Sequence, residues 1–166
     1  MKTDKTIYGV GINDANYFTR IRESLGDSSG KRKLVWSCPY YSTWKDMIKR
    51  CYSEKYKDLY PTYIGCSVVK EWHLFSNFKD WMEHQRWEGR QLDKDLLVIG
   101  NKTYSPETCT FVCNVVNSFV TERDASRGEY PIGVSYSSSG KFRSYCNNPF
   151  TRKQEHLGLF NCPQQA

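Results

Sequence analysis

Two polar residues that can hold a divalent metal ion stand on either side of a predicted turn in the middle of this chain. Asp93 is the acid in an apolar run, Gly100-Asn101 predicts the turn, and Asn117 falls on the predicted helix that follows. Carboxylate and amide oxygens suit hard divalent ions such as Mg or Mn. This order of residues can form a one-metal site that hydrolyses phosphodiesters, with Asp93 and Asn117 as the metal ligands.

Lys94 occupies the position beside this acid where a general base is needed. A histidine would titrate near neutral pH, whereas an exposed lysine has a pKa of about 10.4 and stays protonated. Lys94 can therefore hold a phosphate or stabilise charge, and only a metal-bound water would be activated. The plainer interpretation is that Asp93 and Asp95 cap turns in a scaffold that kept only its fold.

Composition narrows the class of partner. The chain has 166 residues, enough for one ordinary domain or two small ones, and its net charge is +6. Basic residues concentrate in 31–57 and again from residue 131 to the end, which predicts a polyanion such as DNA. The seven cysteines match no zinc spacing and no run has membrane-spanning length, so we expect a reducing cytoplasm and no membrane partner.

Apolar spacing predicts the elements around these residues. One stripe predicts a helix capped by Ser42-Thr43, and a second predicts a helix from Lys70 to Met82. Leu92 to Ile99 is predicted to be a strand. A single turn at 105–107, a short strand and a helix from about Asn114 to Glu122 should follow. The first stripe comprises Trp44, Met47, Ile48, Cys51 and Tyr52.

Period-two alternation near the C-terminus predicts a three-stranded antiparallel meander. Parity gives an apolar face with Val134, Phe142, Ser144, Cys146, Leu157 and Leu159. It gives a polar face with Ser135, Ser137, Lys141, Arg143, Tyr145, Asn147, Gln154 and His156. Because Arg, Asn and Gln bind base edges in the major groove, the polar face predicts a DNA contact, with plain solvent exposure as the alternative.

From about Tyr41 onwards the order of motifs resembles phage-borne HNH-type proteins, relatives of homing endonucleases with a ββα-metal core. The motifs are Trp44-x-x-Met47-x-x-Arg50-Cys51-Tyr52, Gly65-Cys66-x-Val68, Glu71-Trp72, Phe75-x-x-Phe78, Leu92-Asp93-Lys94-Asp95 and Tyr104-Ser105-Pro106-Glu107-Thr108-Cys109. The C-terminal part resembles an Apetala-2-like DNA-binding module through Gly133-Val134, Gly140-Lys141-Phe142, Leu157-Gly158-x-Phe160 and the final Ala166.

The resemblance implies an α+β fold: an HNH-like ββα core with flanking helices and a small three-stranded antiparallel sheet. The implied domains are a strand-rich appendage at 1–40, an HNH-like domain at 41–123, and an Apetala-2-like sheet at 129–166 without its helix. The implied catalytic positions are the metal-binding acid, the histidine base, the central asparagine and the last ligand, which here are Asp93, Lys94, Thr108 and Asn117. Because the base and the central asparagine are replaced, we expect nuclease chemistry to be weakened or lost.

Three functions follow as hypotheses. The first is a phage-type protein that binds double-stranded DNA in the bacterial host cytoplasm, with base contacts from the polar face. Its phosphate contacts are predicted to be Lys45, Lys49, Arg50, Lys141, Arg143, Arg152 and Lys153. The first alternative is an active nicking endonuclease that depends on Mg or Mn. The second is a protein that binds and modulates a host protein through its excess of tyrosine and tryptophan, which dominate interface hot spots.

Overall fold

The computed structural model describes residues 6–26, 30–120, 129–131 and 133–166. The chain is a mixed α+β protein, as predicted, and divides into two compact units, Met1–Val112 and Cys113–Ala166. The described helices are α1 Pro39–Tyr52, α2 Glu54–Leu59, α3 Phe75–Glu83 and α4 Asn114–Val120, with 3-10 turns at Pro61–Tyr63 and Lys70–His73. The strands are β1 Arg20–Ser24, β2 Arg32–Ser37, β3 Ser67–Val68, β4 Arg90–Asp93, β5 Thr103–Tyr104, β6 Thr110–Cys113, β7 Val134–Tyr136, β8 Phe142–Asn147 and β9 Gln154–Phe160.

The apolar stripe of α1 forms the centre of the first unit. The predicted residues Trp44, Met47, Ile48 and Cys51 are buried, and Tyr52 is half-buried. The predicted N-cap at Ser42-Thr43 is wrong, because the helix begins at Pro39, where proline is tolerated since the first amides of a helix have no internal partner. Thr43 instead lies inside the helix and donates its hydroxyl to the Pro39 carbonyl at 3.1 Å.

Seven of the sixteen buried residues in the described core are aromatic. Trp44 is fully buried, and its indole N–H donates to the carbonyl of Trp72 at 2.7 Å. Trp72 in turn contacts the rings of Phe78 and Trp81, with centroids 5.1 and 4.6 Å away. A buried indole needs a partner for its N–H, so this hydrogen bond fixes α1 against the segment that precedes α3.

The predicted helix from Lys70 to Met82 is in fact two elements. A 3-10 turn covers Lys70–His73, Leu74 is extended, and α3 starts at Phe75. The break is held by Ile12, whose amide donates to the His73 carbonyl at 2.8 Å and whose carbonyl accepts the Phe75 amide at 3.0 Å. A segment some sixty residues upstream therefore sets where α3 begins.

The first two strands form an antiparallel hairpin in the N-terminal part of the chain. β1 pairs with β2, and the pairing shifts register between Ile21 and Arg22. The base of the hairpin is tied to α1, because the amide of Cys38 donates to the Thr19 carbonyl at 2.9 Å. Both strands lie within residues 1–40, the region predicted to be a strand-rich appendage.

The segment with the candidate catalytic residues lies between β4 and α4. β4 ends at Asp93, so the predicted strand from Leu92 to Ile99 is too long. The predicted turn, short strand and helix are confirmed as a turn at 106–108, β6 and the described part of α4, whose predicted extension to residue 122 lies outside the described residues. β4 pairs with β6, and β3 pairs with β5.

The second unit contains the predicted meander, in the order β7-β8-β9. Gly133 allows a close approach just before β7: its φ is +77°, and a Cβ there would clash with the Tyr145 carbonyl oxygen. Ser144 is buried, and its hydroxyl donates to the Ala166 carbonyl at 2.6 Å. The last residue of the chain therefore lies against the face of the sheet that carries Ser144.

One face assignment within this sheet is wrong. Leu159 lies directly opposite Arg143, so the two share a face, and Leu159 does not belong with Phe142. The physical reason is a bulge in β9: Ser144 pairs with Gly158 and Tyr145 pairs with His156, so Leu157 has no direct partner. Strict parity fails across a bulge because the extra residue reverses the alternation on one side of it.

Candidate functional site

Asp93 ends β4 by capping the turn that follows. Its Oδ1 accepts the amides of Asp95 at 2.8 Å and Leu96 at 2.7 Å. This Asx turn satisfies two backbone donors and stops the strand, which is the physical reason that β4 is short. One oxygen of the predicted metal-binding carboxylate is thus used within the fold.

Lys94 is buried, with 6% of its surface exposed, and not at the surface as the sequence interpretation assumed. Its ammonium donates to the Asn101 carbonyl at 2.9 Å and forms an ion pair with the Asp95 carboxylate. It also lies 5.9 Å from the centre of the Tyr104 ring. These contacts orient the ammonium across the Gly100 turn, so Lys94 in this conformation bridges two chain segments and is not available to a phosphate in solvent.

Asn101 was not singled out as a site residue, yet it makes the most contacts in this turn. Its amide Nδ2 donates to the carbonyls of Lys94 at 2.8 Å and Thr103 at 2.7 Å, and its Oδ1 accepts the Thr103 amide at 3.1 Å. The Gly-Asn dipeptide was the signal, because both residues favour turns. Thr108 stabilises the same loop, with its hydroxyl donating to the Thr103 carbonyl at 2.9 Å.

The predicted metal ligands fall in different units. Asp93 belongs to the first unit and Asn117, half-buried on α4, to the second, so their joint use stays a prediction. Among the described residues there is no group of three His, Cys, Asp or Glu side chains placed to hold a metal ion. The arrangement around Asp93, Lys94 and Thr108 supports a folded turn more directly than a metal centre.

The three basic residues predicted on α1 have different surroundings. Arg50 is hydrogen-bonded to Tyr104, and its guanidinium carbon lies 5.8 Å from the Tyr63 ring centre, which favours a structural role. The ammonium of Lys49 lies 4.7 Å from the Tyr56 ring centre. Burial, and next the charge of Arg20, hold the pKa of Lys45 below its ordinary value.

The aromatic excess that suggested a protein-binding surface is largely used in contacts between rings. Tyr40 packs against Trp87 with centroids 5.1 Å apart, and Tyr56 packs against Tyr60 at 4.6 Å. Tyr41 is buried. Tyr41 is therefore unavailable to a host-protein interface, whereas Tyr60 is 49% exposed and remains available to one.

The polar face of the β7-β8-β9 sheet contains an ordered arginine. The guanidinium of Arg143 donates from Nη1 to the Tyr145 hydroxyl at 3.1 Å and from Nη2 to Ser137 Oγ at 3.2 Å. Further polar side chains share this face, because Tyr145 lies opposite His156 and Asn147 lies opposite Gln154. Ser135 is paired with Arg143 and completes the face, which the sequence parity placed correctly apart from Leu159.

Basic side chains lie beyond both ends of β8. Lys141 is in the turn before the strand, and Arg152 and Lys153 are in the turn after it; all three are exposed. The second turn is ordered by Asn148, whose Oδ1 accepts the amide of Phe150 at 2.9 Å. A strand of six residues spans about 20 Å, which exceeds the major groove width of about 12 Å. Cations at its two ends can therefore reach phosphates on both sides of a groove.

Comparison of the chain with protein-family models, with curated proteins and with solved structures found no match. No helix in the described part of the chain is long and apolar enough to cross a membrane. The functional assignment therefore depends on the geometry of this chain.

Proposed function

We propose that this protein binds double-stranded DNA with the Arg143 face of its β7-β8-β9 sheet in the major groove. The observation that carries the proposal is the orientation of Arg143 by Ser137 and Tyr145. Within the described residues these bonds use two of the five guanidinium N–H groups, which leaves three to bind an acceptor. An arginine held in one geometry loses less conformational entropy on binding than a free one, so its contact can be specific.

The other side chains of this face have the chemistry of base recognition. The amides of Asn147 and Gln154 each offer a donor and an acceptor, the pattern that pairs with adenine, while Arg143 suits the two acceptors of guanine. Asn147 and Gln154 lie opposite each other in the register and are exposed, so both can approach the same base step. Lys141, Arg152 and Lys153 would bind phosphates and fix the orientation.

Within this proposal the HNH-like segment from β4 to α4 serves as a scaffold whose nuclease chemistry is weakened or lost. Asp93 uses one carboxylate oxygen to cap its turn, and Lys94 is buried in contacts with Asn101 and Asp95. Both side chains are thus engaged in contacts that hold the turn. By its resemblance to phage proteins, such a chain would act in the cytoplasm of a bacterial host.

Fluorescence anisotropy with labelled duplex DNA between 50 and 200 mM salt tests the proposal. Three phosphate contacts from Lys141, Arg152 and Lys153 should contribute about 2.7 to the slope of log affinity against log salt. Arg143→Gln should weaken binding by about 5- to 150-fold, whereas Arg86→Gln, which removes the same charge from an exposed site in the other unit, should have little effect. Absence of binding at 50 mM salt, or equal loss in both variants, would overturn it.

A plasmid assay separates binding from cleavage. We expect no nicking of supercoiled plasmid with Mg or Mn above the level of an EDTA control. Nicking that Asp93→Ala abolishes would establish the nuclease alternative and refute the scaffold role. Nicking that survives the substitution would indicate a contaminating enzyme.

A further inference from the structure

The β1-β2 hairpin is exposed along almost its whole described length, on both of its faces. Ile21 and Trp36, a cross-strand pair, are 48% and 44% exposed, and the side chains from Arg22 to Ser24 are exposed as well. A two-stranded ribbon is only marginally stable by itself in water. A partner that covers one face would stabilise it.

The register places three arginines on one side of this hairpin. Arg20 lies opposite Ser37, Arg22 opposite Leu34, and Ser24 opposite Arg32. Because directly opposed residues share a face and alternate residues of β1 do too, Arg20, Arg22 and Arg32 form one arginine face. Glu23 lies opposite Lys33 and belongs to the other face. No acidic residue of the described strands shares the arginine face.

Helix α1 adds a further cation to this face. The guanidinium carbon of Arg20 lies 5.2 Å from the ring centre of Tyr41, and Lys45 follows Tyr41 by four residues on the same side of the helix. Besides burial, the charges of Arg20, Lys49 and Arg22 lower the pKa of Lys45, and Asp46 opposes them. Cations of the hairpin and of the helix are therefore near one another.

Arg20 also has a donor without an acceptor. Its Nε is buried and makes no hydrogen bond within the described part of the chain. Buried donors without a partner are uncommon in folded proteins, because the group loses its water and gains nothing in return. An anion at the arginine face would supply countercharge to Arg20 and its exposed neighbours, although the Nε itself is shielded from solvent.

We propose that the arginine face of the β1-β2 hairpin, together with Lys45, is a second DNA-binding site that holds the phosphate backbone of a duplex. The choice of DNA as the polyanion rests on the proposed function, whereas the arrangement of the cations does not. The apolar pair of Ile21 and Trp36 lies on the opposite face and is not required for this contact. A protein partner is the competing occupant, and it would leave DNA affinity independent of these arginines.

The experiment is a salt titration of duplex binding with the full chain and two doubly substituted variants. Arg22→Gln with Arg32→Gln removes two exposed charges of the arginine face, and Arg86→Gln with Arg90→Gln removes two exposed charges elsewhere in the same unit. If each hairpin arginine neutralises one phosphate, the first variant should lose about 1.8 from the salt slope. The control variant should keep the slope. Tryptophan fluorescence melts must show that both variants remain folded.

The outcomes distinguish this inference from the proposed function. A reduced salt slope only in the hairpin variant supports the second site. This holds even if Arg143→Gln has no effect and the β7-β8-β9 sheet does not bind DNA. An unchanged slope in the hairpin variant, with binding still sensitive to Arg143→Gln, overturns the second site and leaves the sheet in place. Equal loss in the hairpin and control variants would also overturn it, because it would reflect net charge alone.

Discussion

Asn101→Ala should destabilise the first unit without affecting DNA binding. The side chain makes three hydrogen bonds, to the carbonyls of Lys94 and Thr103 and to the Thr103 amide, at 2.7 to 3.1 Å. They join the two sides of the Gly100 turn. Alanine at position 101 removes all three at once and leaves backbone groups of Lys94 and Thr103 without these partners.

The expected loss follows from these contacts. A hydrogen bond within a protein contributes about 0.5–1.5 kcal/mol net, so three contribute about 1.5–4.5 kcal/mol. Asn101 is half-buried, and water can replace part of what is lost, which places the expected change in the lower part of this range, about 1.5–3 kcal/mol. For a unit of this size such a change should lower Tm by roughly 10 °C.

Intrinsic tryptophan fluorescence is a selective assay for this change. All five tryptophans lie within Met1–Val112, so the signal reports unfolding of the first unit and not of the C-terminal sheet. Urea titration of the wild type, Asn101→Ala and the exposed-site control Asn16→Ala should give a lower midpoint for the first variant alone. Anisotropy on duplex DNA below the transition should give the same affinity for all three.

Two results would refute this reasoning. A loss below about 0.5 kcal/mol, the contribution of a single weak hydrogen bond, would mean that the turn is not held by Asn101. A large drop in DNA affinity with stability unchanged would mean that Asn101 belongs to a binding site. The second result would also reopen the role of the neighbouring Lys94.

Three further predictions test other parts of the structure. Burial raises the pKa of the Cys51 and Cys109 thiols to about 12. At pH 8, Ellman's reagent should therefore modify the three half-buried cysteines quickly and the four buried cysteines only when the protein unfolds. Although slight burial opposes it, hydrogen bonds from Ser76 hold the pKa of Asp14 below its ordinary value. Asp14→Ala should therefore lower the free energy of unfolding, measured by urea titration at pH 7, by about 1 kcal/mol. The difference between the two proteins should vanish as pH falls through this lowered pKa. Tyr145→Phe, which removes an acceptor for Arg143 but no charge, should weaken DNA binding about 2- to 10-fold by anisotropy and leave the salt slope unchanged.

Sequence patterns predicted the helices and strands that are determined by the spacing of neighbouring residues. The α1 stripe was recovered because its spacing determines which side chains are buried, and only the start of the helix was misplaced. The meander, the short strand β6 and the start of α4 were recovered for the same reason. The break at Leu74 was not predicted, because hydrogen bonds to Ile12 fix it and no local pattern records that contact.

In the candidate sites, too, the sequence predicted the features that depend on local alternation and missed those that depend on strand pairing. Parity placed Arg143, Tyr145 and Asn147 on one face because β8 is regular, and it misplaced Leu159 because a bulge in β9 depends on pairing. The arginine face of the β1-β2 hairpin could not be predicted from the sequence for a related reason. Ile21 pairs with Trp36 and the next residue, Arg22, pairs with Leu34, so Val35 is skipped. This shift interrupts the alternation of faces in β2. Only the paired register shows that Arg32 shares a face with Arg20 and Arg22.

The structure also changes what the lysine beside Asp93 means. The sequence alone suggested that Lys94 is a cation at the position where a base is expected, and that it is free to hold a phosphate. In the fold its ammonium bonds to the Asn101 carbonyl, while Asn101 returns a hydrogen bond to the Lys94 carbonyl, so the two residues form a reciprocal pair across the turn. A lysine suits this position because its long stem crosses the turn and its ammonium supplies several donors. The lysine that argues against nuclease chemistry therefore stabilises this turn, as the proposed DNA-binding function would require of this segment.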